Sequence, residues 1–240
     1  MENSLYIALS RQTVVDRQME TIAHNLANAS TPAYKGEGMM FAEHLARSPR
    51  QTPLSFVRDV ASVRDMEEGG FTRTDNPLDL AIHGEAWFVV DTPQGERYTR
   101  NGHFRMDALG RMVTERGHAV MGDGGPISFL PSDTEITFAS DGTVLSAGQP
   151  RGKLRMVDFS NPQQLKNIGD TLYAADSNAT STPAKKFDVA QGMLEDSNVK
   201  PILEITSMIA AMRIYQGAQR LIDTEHDRQR RAIELLTKSS

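Results

Sequence analysis

The sequence predicts an α+β chain: long N- and C-terminal helices forming a coiled-coil-like inner layer, with an all-β outer domain between them. Three observations predict this class. Leu5, Ala8, Gln12, Val15, Met19, Ile22 and Leu26 fall on an alternating three–four spacing, the mark of a helical seam. Ile205, Met208, Met212, Tyr215, Gln219, Ile222, His226, Gln229, Ile233 and Leu236 repeat that spacing near the other end. Between the seams the chain breaks into short alternating segments cut by Gly and Asn turns, the pattern of an all-β region.

The elements follow in order. A first helix is expected over Ser4–Asn28, capped by Asn3 or Ser4, whose side chains can accept from a free backbone N–H. Pro32 stops it by disfavouring helical geometry at Thr31. Residues 36–70 read as an extended linker: Met39–Leu45 admits a short helical turn, 48–53 an exposed loop, and the first half of Leu54–Met66 an extended strand. The β region spans 71–197. Leu78–Ile82 and Ala86–Asp91 are expected strands joined at His83, Gly84 and Glu85. Asn101–Gly102 and Asp141–Gly142 are tight-hairpin signals. Gly122, Gly124 and Gly125 mark another turn, Asn161–Leu165 one helical turn, and Leu154–Phe159 and Phe187–Leu194 further strands. The last helix is expected from Val199 to Leu236, with Asn198 as its cap and Pro201 in its first turn, where a missing N–H costs nothing. At ~1.5 Å per residue it would run roughly 55 Å. The expected boundaries are 1–35 and 198–240 for the two helical arms, 36–70 for the linker and 71–197 for the β domain.

Composition excludes several functions. The chain of 240 residues can bury a core. Its 26 Lys+Arg against 31 Asp+Glu leave no broad basic footprint, so no nucleic-acid partner is expected. It has no cysteine, which removes thiol nucleophiles, thiolate metal sites and disulfides. Glu2 replaces a basic N-terminal cluster, and Arg11, Asp16 and Arg17 interrupt any apolar run, so no cleaved signal and no membrane insertion are expected.

No catalytic constellation emerges. His24, His44, His83, His103, His118 and His226 form no zinc-type spacing, and no cofactor or metal is expected. Gly122 to Gly125 is followed by Pro126 and a strand instead of a helix, so it is no phosphate cradle. Asp75, Asp79 and Asp91 could be imagined as a hydrolytic carboxylate pair, but Asp79 sits in an alternating strand where surface alternation explains it. Asn178, Ala179 and Thr180 make a chance glycosylation sequon, and Arg228, Arg230 and Arg231 are interleaved with acids as on a solvated helix face.

The segment Ala23–Lys35 resembles the N-terminal signature of bacterial flagellar rod and hook proteins. Asn25, Leu26, Ala27, Asn28, Thr31, Tyr34 and Lys35 match it, while Ala33 stands where that signature has Gly. Leu78–Val90 is similar to the family's strand pair, and Tyr98, Thr99, Arg100, Gly102 and Phe104 to its following hairpin. The region Met208–Thr224 is similar to its last helix. The opening Met1–Ser10 and the chain length resemble the proximal rod members; a distal rod paralogue is the alternative, and a β-domain glycan-binding or hydrolytic module with oligomerising helices, or a cytoplasmic adaptor, are readings from other classes. The resemblance implies a non-enzymatic structural subunit that assembles helically in the periplasm with copies of itself and other proximal and distal rod subunits. It also implies passage through the flagellar type III export apparatus, which suits arms that are disordered before assembly. Signature and seams together give the expected assembly interface: Leu5, Ala8, Val15, Met19, Ile22, Asn25, Leu26, Asn28, Tyr34, Ile205, Met208, Ile209, Met212, Tyr215 and Ile222. Gln12, Gln219 and Gln229 are expected to set register, as polar seam residues can.

Overall fold

The computed structural model describes residues 2–46, 54–131, 133, 135–176 and 179–238. The loop expected at 48–53 and the sequon residue Asn178 lie outside them. The chain is α+β, with a helix near each end and a β-rich centre. It divides into two compact units, the first built from Met1–Ala27, Glu37–Asp65 and Val199–Ser240, the second from Asn28–Gly36 and Met66–Asn198.

The first unit holds helix α1 (Glu2–Ala27), strands β1 (Glu37–Ala46) and β2 (Leu54–Arg64), and helix α2 (Pro201–Lys238). The helices are antiparallel, because Gln12 faces Gln219 while Asn25 faces Glu204. Val15, Ile22 and Ala211 are buried together, with Met19, Met208 and Tyr215 packed around them. The turn of helix admitted at Met39–Leu45 is strand instead. β1 pairs with β2 from Glu37 opposite Arg64 to Ala46 opposite Leu54, with a bulge between Met40 and Phe41. The ladder pairs backbone groups along the whole of β1, where an isolated helical turn would leave most of them open, so pairing overrides local propensity.

Asn198 is not the cap of α2. The carbonyl of Lys200 receives the amides of Leu203 and Glu204 at 3.0 and 3.1 Å. The Asn198 side chain instead accepts from Gly36 N and donates to Glu67 O.

The second unit contains β3 (Phe71–Arg73), β4 (Leu80–Gly84), β5 (Trp87–Thr92), β6 (Gly95–Thr99), β7 (Phe104–Met106), β8 (Met112–Thr114), β9 (Ala119–Gly122) and β10 (Gly125–Pro126). β11 (Ile136–Phe138), β12 (Thr143–Ser146), β13 (Gln149–Lys153), β14 (Met156–Phe159), β15 (Leu165–Gly169), β16 (Leu172–Ala175), β17 (Ser181–Pro183), β18 (Phe187–Gln191) and β19 (Met193–Glu195) follow. The main sheet runs β15–β16–β6–β5–β9–β8–β7, with β14 joining β5 to β17 and β10 joining β9. Three smaller sheets are β11–β12–β13, β18–β4 and β19–β3.

β5 explains why this unit has two cores. Its run Trp87, Phe88, Val89, Val90 is buried throughout. Successive side chains point to opposite faces. Phe88 and Val90 join Leu80, Ile82, Phe104 and Met112 on one side, and Trp87 and Val89 join Tyr98, Phe159 and Tyr173 on the other.

Three turn expectations resolve differently from one another. Asp141–Gly142 does close the β11–β12 hairpin. Asn101–Gly102 does not close one, since β6 pairs with β5 and β16 while β7 pairs with β8. Gly102 serves a different need: a Cβ there would stand 1.6 Å from the carbonyl oxygen of Leu80, so only glycine admits this backbone approach. The strands expected on either side of His83, Gly84 and Glu85 are present as β4 and β5, and β4 takes β18 as its partner. The single helical turn appears as a 3-10 turn over Pro162–Gln164, with Asn161 accepting from Gln163 N.

Candidate assembly surfaces and a buried charge cluster

On α2 the half-buried Met208, Tyr215 and Ile222 alternate with the buried Ala211 and Ala218, 2% and 8% exposed. The spacing is the three–four one expected, but its other members differ: Ile205 and Met212, expected in the same row, are 47% and 43% exposed. Alanines occupy the contact because they let the two backbones come close, and the larger side chains are displaced outward. On α1, Ala8, Val15 and Ile22 are buried at seven-residue intervals, with Gln12, Met19 and Leu26 half-buried. Of Leu5 only the backbone is described. Gln12 Nε2 donates to Gln219 Oε1 at 3.1 Å, which puts a polar pair across the two helices.

Asn25 is 3% exposed and faces inward. Its Oδ1 accepts from Glu37 N at 2.9 Å, and its Nδ2 donates to Glu37 O at 2.8 Å and to Glu204 Oε1 at 3.2 Å. The side-chain amide thus pairs both backbone groups of one β1 residue, as a neighbouring strand would, while touching α2. Asn28 accepts from the amide and the hydroxyl of Thr31, closing the turn that ends α1. Tyr34 is buried, and its carbonyl accepts from Asn198 N.

Outward from the helix contact, α2 presents a series of apolar side chains. Ile202, Leu203, Ile205, Ile209, Met212, Ile214 and Leu221 are all exposed.

The second unit contains a charge cluster that no spacing in the sequence indicated. Lys35, Arg100 and Glu195 are 2%, 5% and 1% exposed. Lys35 Nζ donates to Glu195 Oε1 at 2.7 Å and to Glu67 O at 2.6 Å. Arg100 Nε donates to Glu195 Oε2 at 2.9 Å, and its other nitrogens donate to the carbonyls of Ile82, Gly84 and Ala86. Gly69 N also donates to Glu195 Oε1, and Glu68 lies 3.7 Å from Arg100. Burial pushes the Lys35 ammonium below its ordinary pKa, against the pull of the Glu195 carboxylate. The surrounding backbone is stitched as well: Ala33 N donates to Glu195 O at 2.8 Å and Gly36 N to Asn198 Oδ1 at 2.8 Å. Ala33 takes a φ of 56°, the left-handed conformation that explains why the flagellar signature has glycine there. The segment that follows α1 is thereby tied to the segment that precedes α2.

Asp79 is 3% exposed, which corrects its expected place on the strand surface. Asn76 Nδ2 donates to its Oδ1 at 3.0 Å, and His103 Nδ1 lies 2.7 Å from the same oxygen. Asp75 pairs with Arg73 instead, and Asp91 is exposed on β5. Among the described residues no three His, Asp or Glu side chains gather as a metal site, and no helix is long and apolar enough to cross a membrane.

Three family descriptions match the chain in order. "Flagella basal body rod protein" matches residues 5–35, "Flagellar hook protein FlgE/F/G D1 domain" residues 81–146, and "Flagellar basal body rod FlgEFG protein C-terminal" residues 190–235. The chain is 35% identical over 243 residues to the flagellar basal-body rod protein FlgF of Caulobacter vibrioides, covering 99% of each. It is 32% identical over 253 residues to the protein of that name from Escherichia coli, covering both completely. To the flagellar basal-body rod protein FlgG of Bacillus subtilis it is 27% identical over 254 residues, covering 95% of this chain and 96% of that one. Lys35, Arg100 and Glu195 each fall in a different one of the three matched segments.

Proposed function

This chain belongs to the flagellar basal-body rod protein family, and from that premise we propose that it forms the proximal part of the rod, with α1 and α2 as a coiled-coil-like inner layer and the β unit outside them. It is a structural subunit of the flagellum, and membership of the family implies assembly with other rod proteins. The observation that carries the assembly reading is the outward apolar side of α2, where Ile202 is 80% exposed and Ile205, Ile209 and Met212 are 43–47% exposed. A fully buried Leu, Ile or Met side chain contributes roughly 1.5–3 kcal/mol. Ile205, Ile209 and Met212 are already about half covered, so neighbouring subunits would add roughly half of that for each of them, and more for Ile202.

Apart from Leu5, whose side chain lies outside what is described, the expected interface residues then divide by role. Ile205, Ile209 and Met212 meet neighbours directly. Ala8, Val15, Met19, Ile22, Leu26, Met208, Tyr215 and Ile222 hold the helix pair in the shape that presents them. Asn25 ties α1 to β1 and α2, and Asn28 and Tyr34 order the segment that follows α1. Long helices carried side by side along a shaft resist bending and share torque through their contacts. The subunit reaches the periplasm through the flagellar type III export apparatus and orders there as it is incorporated.

Electron microscopy of basal bodies from a strain lacking the protein tests the proximal position. Rods interrupted near their base are expected. Rods complete at the base and missing only their distal section would assign the chain to the distal rod instead.

A further inference from the structure

The exposed apolar side of α2 is two surfaces. At roughly 100° per residue, Ile202, Ile205, Ile209 and Met212 form one stripe, while Ile214, Gly217 and Leu221 lie about 130° away around the helix. Exposed Thr206, Arg213 and Arg220 fall between them. The row that meets α1 takes the remaining third. The two open surfaces differ in shape. The first is a convex row of branched and long side chains. The second is a groove of about 290 Å³ lined by Ala8 and Arg11 of α1 and by Ile214, Gly217, Ala218 and Leu221 of α2. Its floor is low because Ala8, Gly217 and Ala218 carry almost no side chain, and a Cβ at Gly217 would meet nothing within 4 Å.

We propose that the ridge Ile202, Ile205, Ile209, Met212 of one copy seats in the groove over Gly217 of a second copy of this chain. This rests on the assembly reading above and goes beyond it by naming which surface meets which. The ridge is apolar, the groove is apolar but for Arg11, and the two are opposite in relief, as ridges-into-grooves packing of helices requires. Two ridges facing each other would leave their flanks unfilled. Because the two surfaces point in different directions on one helix, each seated copy still offers a free ridge or a free groove. A contact between unlike surfaces is heterologous and propagates instead of closing as a two-fold dimer. Gly217 is then a socket, and its roughly 1 kcal/mol cost to an exposed helix interior is the consequence of keeping that socket open.

The absence of cysteine allows a direct test by disulfide trapping in basal bodies isolated from cells that carry only the variant chain. Ile205→Cys, Ile209→Cys, Met212→Cys and Gly217→Cys are made singly, and each of the first three is combined with Gly217→Cys. After oxidation every single variant is expected to run as a monomer, and at least one combination as dimers and longer ladders. Dimers from a ridge variant alone, or combinations that enter basal bodies and never link, overturn the proposal. Should a combination fail to be incorporated, ridge and groove single variants produced together in one cell decide it: mixed dimers support the seating and their absence rejects it. Failure of the unmodified chain to appear in basal bodies would instead reject the rod reading.

Discussion

Glu195 gives one carboxylate oxygen to Lys35 and the other to Arg100, with all three side chains out of water. A buried ion pair adds little net stability against an apolar replacement, yet removing one partner strands the others. Glu195→Gln is therefore expected to destabilise the second unit by about 3–5 kcal/mol, read as a fall in the urea midpoint; an unchanged midpoint would mean the two cations are compensated elsewhere. Its effect should exceed that of removing any surface pair such as Arg155 with Glu96, which solvent screens. Asp141 acts at the other extreme of exposure. Hydrogen bonds from the Thr143 hydroxyl and amide, and then from Lys153, hold its carboxyl at about 2. A carboxyl depressed in the folded state adds stability that is present above its ordinary value of 3.8 and lost as pH falls through about 2. The urea midpoint should thus decline over that window, and Asp141→Asn should flatten the decline. A steeper acid decline in the variant would contradict this assignment.

At the scale of elements, the closest approach of α1 and α2 depends on Ala211, which is 2% exposed among Val15, Ile22, Met19, Met208 and Tyr215. Ala211→Leu is expected to overpack that contact and cost about 1–3 kcal/mol. Amide exchange along α1 and α2 should accelerate together, and exchange in the β strands should not. The same alanines show what the sequence could and could not reveal. Both helices and the three–four period were legible because large apolar residues recur on it. The outward placement of Ile205 and Met212 was not, since periodicity counts size and cannot tell a row facing the partner helix from one facing a neighbour. In the β unit the Asp141–Gly142 turn was legible from its two residues alone. Gly102 was misread as a hairpin turn because its actual constraint is the Leu80 carbonyl, over twenty positions away in the chain. Strands as short as β7, β8 and β19, of three residues each, are held by partners far along the sequence and leave little local signal.

For the whole molecule, the two ends of the chain and its middle have separate tasks. The β unit is built around two apolar cores and a buried charge cluster. In the helical unit α1 packs on α2 and bonds to β1 through Asn25, while α2 carries Ile202, Ile205, Ile209, Met212 and Ile214 into solvent over its first half. Lys35 and Arg100 could be named from the sequence only as parts of motifs, and Glu195 in none; their meeting depends on the fold bringing positions 35, 100 and 195 together. The account stands on the outward side of α2 being the surface that holds the subunit in the rod. The direct measurement is Ile209→Asp in a strain lacking the native chain, followed by its urea midpoint and its amount in purified basal bodies. Ile209 is 44% exposed, so a midpoint close to the native one is predicted, together with loss of the chain from basal bodies and loss of swimming. A folded variant incorporated at the native level, in swimming cells, would contradict it.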